Sequence, residues 1–202
     1  MAGELPLFPL QAVLFPGGLL GLTVFEARYL DLITDCLRSG RPFGVVALRS
    51  GDEVRRGADQ VSFEPVGTQA ELIGADSEQP GILLVRCRGT ARFRVEASRQ
   101  QADGLWLART RPIADDEVRL PDESLIDTVR ALAATIATLR NNKNESPFLQ
   151  PYRFDDAGWV ANRWCELLPI SQAAQQKLME LPDAMVRLEL VDDFLRSKGV
   201  VK

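Results

Sequence analysis

A chain of 202 residues, 46% hydrophobic and 26% charged, has the make-up of a folded globular protein and is neither disordered nor fibrous. Chains of this length bury about 70% of the surface that unfolding exposes, enough for one large domain or two small ones. The formal net charge of −4 supplies no long-range field to draw in a polyanion, so nucleic acid is not an expected partner.

The stretch from Met1 to Phe25 is apolar, but it carries Glu4, has no basic residue before Arg28 and is broken by Pro6, Pro9, Pro16 and Gly17-Gly18. A secretion signal needs a basic start and an unbroken apolar run, so none is expected. No later run approaches the roughly 18 apolar residues of a membrane span, and a cytoplasmic protein with no membrane partner is expected. Cys36, Cys87 and Cys165 are too far apart for a disulfide framework or a CxxC site. Flanked by apolar residues, they read as small buried hydrophobes in a reducing compartment.

Residues Leu5 to Val24 read as extended pieces separated by turns, the last turn being Pro16-Gly17-Gly18. Proline donates nothing to a ladder, so this region is expected at an edge or seam of a sheet. From Glu26 the period changes: Tyr29, Leu30, Ile33, Cys36 and Leu37 recur at helical steps and stop before Gly40 and Pro42. Short β-type runs follow at 43–48, 66–73, 82–88, 91–95 and 105–111, with polar loops expected at 50–60 and 74–81. Many short strands and one helix suggest a small barrel or a folded-over sheet.

Beyond Pro112 the texture changes. Asp115-Asp116-Glu117 and Pro121-Asp122 read as a solvated linker, since adjacent loop carboxylates point in different directions. Leu125, Val129, Leu132, Ile136 and Leu139 make a helical stripe that Asn141-Asn142 should end. A polar loop over 143–153 precedes three helices with Asp155, Ser171 and Asp183 as N-caps and Gly199 as the stop. The expected fold class is α+β: a β domain over residues 1–114 and a helical bundle over 122–202.

The chemistry is notable for what is missing. The chain has no histidine, which removes Ser-His-Asp and Cys-His nucleophilic systems, the HExxH zinc site and any histidine base. No Gly-Lys dipeptide is present, so no P-loop can form. The four lysines, at 143, 177, 198 and 202, stand in contexts that look solvated, whereas a Ser-Lys dyad needs a desolvated lysine. Pro16-Gly17-Gly18-Leu19-Leu20-Gly21 has the wrong spacing for a dinucleotide fingerprint and leads into an extended run. No enzyme activity, cofactor or metal is expected.

Leu5-Pro6-Leu7-Phe8-Pro9-Leu10, Val13-Leu14-Phe15-Pro16-Gly17 and Phe25-Glu26-Ala27-Arg28-Tyr29-Leu30 stand in an order and spacing that resemble the start of the Lon protease N-terminal domain, especially its free-standing versions. Val66-Gly67-Thr68 looks like the family's central strand, and Arg88-Gly89-Thr90-Ala91-Arg92-Phe93-Arg94-Val95 like its glycine-containing hairpin. Leu167-Leu168-Pro169-Ile170 and the stretch from Gln176 to Leu190 are similar to its helical extension. Gly21 stands where the family often has proline.

The resemblance implies a PUA-like β-barrel joined to a helical bundle, acting as a non-catalytic module for unfolded protein or peptide segments. The ATPase and protease domains of the full enzyme are not expected. An alternative is RNA binding, by analogy of the PUA-like fold alone. A carboxylate-only enzyme is a third reading.

Candidate binding residues fall in two groups. Phe25, Glu26, Arg28 and Tyr29 sit where a strand gives way to a helix. The plainer reading has Glu26 capping the helix or pairing with Arg28, while Phe25 and Tyr29 fill the core. Arg86, Arg88, Arg92 and Arg94 alternate with apolar residues around Gly89-Thr90. A hairpin there would put four guanidinium groups on one face, suited to carboxylate or phosphate; the plainer reading balances them with Glu71 and Glu96. Trp106, Trp159 and Trp164 are expected in the core rather than on a ligand.

Overall fold

Leu5 to Leu10 is apolar on both faces, and the reason is that it forms an inner strand. In the computed structural model, which describes residues 4–50, 61–143 and 146–202 apart from the side chains of Ser50, Glu78, Asn142 and Lys143, the chain divides into two compact units, Met1–Ala114 and Asp115–Lys202. The first contains β1 (Leu5–Leu10), β2 (Leu19–Val24), α1 (Ala27–Ser39), β3 (Phe43–Ser50), β4 (Ser62–Gln79), β5 (Ile82–Gln100) and β6 (Trp106–Pro112). The second contains a short 3-10 turn (Glu123–Leu125), α2 (Ile126–Lys143), α3 (Ala157–Leu167), α4 (Gln172–Glu180) and α5 (Ala184–Ser197). The α+β class, with strands first and helices after, is as expected.

Five strands close a ring. β1 pairs in parallel with β3, β3 with β4, β4 with β5, β5 with β6, and β6 returns to β1, the last four antiparallel. β1 is the seam, and its stagger explains its prolines. Pro6 lies opposite Leu107 of β6, before the β3 pairing begins at Leu7, and Pro9 lies opposite Val46 of β3, after the β6 pairing has ended at Leu7. Each ring therefore has one open side for its missing donor. The strand alternation sorts the core: Leu7 joins Val46, Phe93 and Ala108 inside the ring, while Phe8 and Leu10 join Phe43, Val45 and the buried face of α1.

That α1 face is Tyr29, Leu32, Ile33 and Cys36; Leu32 replaces the expected Leu37, which is 54% exposed. Gly40 ends the helix in the left-handed region, at φ 68°, with its amide donating to the Cys36 carbonyl at 2.8 Å.

Two loop expectations in the β unit are overturned. Residues 74–79 continue β4, and the β4–β5 hairpin turns in two residues, Pro80 and Gly81. No turn exists at Gly89-Thr90, because β5 runs unbroken from Ile82 to Gln100. Gly89 instead receives the backbone of the 14–18 loop: the Gly17 amide donates to the Gly89 carbonyl at 2.8 Å and the Gly89 amide to the Gly18 carbonyl at 2.9 Å. A Cβ there would stand 2.3 Å from the Phe15 carbonyl oxygen, so the glycine marks a close approach of two backbones. Of the loop expected at 50–60, residues 51–60 lie outside the described residues.

In the helical unit α2 runs past Asn141 to Lys143, and Asp156, one residue later than expected, caps α3 by accepting from the Gly158 amide at 3.0 Å. Ser171 and Asp183 cap α4 and α5 as read from the sequence. Trp164 and Trp159 are buried, the former donating through Nε1 to the Thr128 carbonyl at 3.1 Å. The expected solvation of the 115–117 carboxylates fails at Asp116, which pairs at 2.6 Å with Arg187, a side chain 1% exposed. Arg187 also donates to Asn162 (3.0 Å) and to the Leu178 and Leu181 carbonyls (2.8 and 2.6 Å), so its charge is held by one carboxylate and three neutral acceptors. Removing one member of such a pair strands the other. Asp116→Ala should lower stability by about 3 kcal/mol in urea unfolding; a loss below about 1 kcal/mol would place the compensation of Arg187 elsewhere.

Buried Arg163 pairs with Glu166 at 2.7 Å. Burial pushes the Glu166 carboxyl up to about 7, against the opposing pull of Arg163. A carboxyl raised on folding contributes stability that is complete below about 4.3, its ordinary value, and is lost as pH rises through about 7. Unfolding free energy should therefore fall by up to about 3 kcal/mol from pH 4 to pH 8 at this group, and Glu166→Gln should flatten that part of the profile. Parallel profiles for the two proteins would contradict the assignment.

Candidate binding site at the end of strand β2

β2 is Leu-Leu-Gly-Leu-Thr-Val, and its even positions Leu20, Leu22 and Val24 turn toward the core shared with α1. The chain then leaves the sheet through Phe25 and Glu26 and enters α1 at Ala27. Glu26 is the N-cap residue, yet its side chain caps nothing; it pairs with Arg28 at 2.9 Å. Arg28 is held by that pair, by donation to the Gly104 carbonyl at 2.9 Å, and by lying 4.6 Å from the centre of the Tyr29 ring. Tyr29 stacks on Phe8, with ring centres 3.8 Å apart and planes 9° from parallel.

The four residues expected at this junction thus come together but divide in role. Tyr29 and Arg28 are framework. Phe25 is 52% exposed, against the expectation that it fills the core. Beside it, along β2, lies a groove of about 280 Å³ lined mainly by apolar side chains, Phe8, Leu10, Leu22, Phe25 and Tyr29, with Thr23 and the Glu26 carboxylate also on it. Two of these five, Phe25 and Tyr29, are candidates from the sequence; Phe8, Leu10 and Leu22 are legible as site residues only through the packing of β1 and β2.

A second cleft, about 500 Å³, opens on the other flank of α1. Its floor is Leu32, Leu105 and Leu107, and Arg28, Asp31, Asp35 and Asp103 stand around it. Asp103 is occupied in accepting from the Leu105 amide at 2.9 Å and Asp35 faces Arg38 at 3.6 Å. With Glu4 and Arg41 also on it, this rim carries four carboxylates against two guanidinium groups and is acidic on balance.

The arginine group does not form one face. Arg92 is 2% exposed and donates to the Ala114 carbonyl at 3.1 Å, so, against expectation, it belongs to the interior and presents no guanidinium to a surface ligand. Without a hairpin at Gly89, Arg86 and Arg88 pair across to β2 while Arg94 pairs across to Arg111 on β6. Arg88 is balanced by Glu71 at 2.7 Å, as the plainer reading has it. Glu96 lies 3.4 Å from Arg109 and 3.9 Å from Arg111, and not on Arg94. Arg86 is exposed, lies opposite Gly21, and has no carboxylate partner among the described residues.

The three cysteines present no thiolate. Burial pushes the Cys87 and Cys165 thiols up to about 12 and raises that of Cys36, so all three stay protonated at neutral pH. No cluster of three or more Cys, Asp or Glu side chains suited to a metal occurs among the described residues.

Similarity to known proteins runs the length of the chain. The family described as the ATP-dependent protease La (LON) substrate-binding domain matches residues 4–197. Lon protease 2 of Myxococcus xanthus is 27% identical over 198 residues, which are 96% of this chain and 24% of that protein. The chain spans only 23–24% of the length of the first curated Lon proteases it matches. The crystal structure of a Lon N-terminal domain protein from Xanthomonas campestris shares 34% identity, with a TM-score of 0.68 over 93% of this chain and 96% of that one. The N-terminal domain of the Mycobacterium avium complex Lon protease, 14% identical with a TM-score of 0.62 over 94% of this chain and 96% of that one, shares the fold. On the match over nearly all its residues, the chain belongs to the Lon substrate-binding domain family.

Proposed function

We propose that this protein recognises unfolded segments of other proteins without catalysing a reaction, and that it does so at the groove beside β2. The observation that carries this reading is the exposed Phe25 at the rim of an apolar groove in a chain that belongs to a substrate-binding family. Singly exposed apolar residues are ordinary on protein surfaces, but one that continues an open apolar groove is where a foreign apolar side chain loses most water. The buried Tyr29–Phe8 stack fixes the floor of this groove before any ligand arrives. The lack of histidine and the protonated thiols support recognition over chemistry. The net charge of −4 gives no support to RNA as the ligand.

Reduced, carboxamidomethylated lactalbumin, which cannot refold, is a suitable probe. Fluorescence anisotropy should show saturable binding, and Phe25→Ala, at an exposed position, should weaken it by about 5- to 30-fold while leaving urea unfolding unchanged. Equal affinity for variant and parent would move the site away from this groove.

A further inference from the structure

The open side of β2 specifies more than an apolar contact. β2 is an edge strand: it pairs with β5 from Leu19 to Val24 and with no other strand among the described residues. Every second backbone N–H and C=O on such a strand points outward without a ladder partner. Folded proteins guard edges of this kind with charges, prolines or bulges. β2 has none of these: its six residues carry no charge and no proline, and its register with β5 runs from Leu19 to Val24 without a shift.

An edge left open in this way, with a groove along it, has a defined occupant. We infer that an extended segment of another polypeptide adds to β2 as a further strand, with apolar side chains at alternate positions and an acidic side chain facing Arg86. The inference rests on the reading above that this groove receives unfolded chains. Side chains of an added strand point alternately to the two faces of the sheet. On one face they meet the groove walls, Phe8, Leu10, Leu22 and Tyr29. On the other they meet half-buried Leu19 and exposed Gly21 and Thr23. Arg86 pairs across from Gly21 on that same face and has no carboxylate of its own among the described residues. Gly21 has no side chain to stand in the way, and even a Cβ there would have nothing within 4 Å. The guanidinium can therefore reach over Gly21 to a carboxylate on the added strand, where a charge-assisted pair would form. Arg88, its neighbour two residues on, is already held by Glu71, so the charge selection falls at one position.

The test uses the full chain and a capped seven-residue peptide alternating valine and glutamate, a second alternating valine and lysine, and versions of the first N-methylated at one or the other set of alternate positions. The glutamate peptide should bind roughly fivefold tighter than the lysine peptide. Arg86→Glu, an exposed replacement, should reverse that order. N-methylation should weaken binding at least about fivefold in one alternate set and little in the other, because only one set faces the ladder. Equal affinity for the two charge patterns, or indifference to N-methylation at both sets, would overturn strand addition; if unfolded lactalbumin still bound, recognition at the groove would stand. Failure of both peptides and lactalbumin would remove both. A dimer in sedimentation that blocks the glutamate peptide would also overturn the inference, by showing that a second copy covers the edge.

Discussion

One strand with two employers governs the β unit. β5 is long enough to pair with β2 through residues 83–88 and with β6 through residues 93–100, and the handover falls at Gly89, where the 14–18 loop lays its backbone against the strand. The second half closes the five-strand ring through β6 and β1. The first half stands outside that ring, so β2 can attach to it without gaining a second neighbour. The free edge beside the groove is thus a consequence of how the ring closes, and the absence of a Cβ at Gly89 is what lets the loop leading into β2 sit where it does.

The junction that follows β2 is built to be rigid on one side and open on the other. The Phe8–Tyr29 stack and the Glu26–Arg28 pair tie the start of α1 to the sheet. Preorganised walls keep the ordering cost of binding on the ligand, which is the side an unfolded segment must bear in any case. Phe25 is left outside this framework with half its surface exposed. In the helical unit the polar side chains serve cohesion: Thr128 donates to Asp192 at 2.5 Å, Arg196 holds the same carboxylate at 2.6 Å, and Asp116 holds Arg187. Such networks fix the arrangement of helices more than they add to its stability.

Local order was legible and long-range pairing was not. The three- and four-residue spacing from Tyr29 to Cys36 announced α1, and cap residues placed the starts of α4 and α5. Gly89 was misread because a glycine needed for a turn and a glycine needed for a close approach look alike until the approaching backbone, from residues 15–18, is known. Residues 74–79 read as a loop because that arm of the hairpin is only partly buried and carries no core period. Asp116 was read as solvated because its partner stands 71 residues away. Of the site, Phe25, Tyr29 and Arg86 were within reach of sequence reasoning, whereas the meaning of Arg86 depended on its register opposite Gly21. The signal for the edge was present as an absence: six residues, Leu19 to Val24, with neither charge nor proline.

The most direct test is to watch the backbone amides of the protein by NMR while unfolded lactalbumin is added. The account predicts that the largest shifts run along Leu19 to Phe25 and across to Arg86, and that they saturate together. Shifts concentrated at the acidic cleft around Asp31 and Asp35, or in the helical unit, with β2 unmoved, would contradict it.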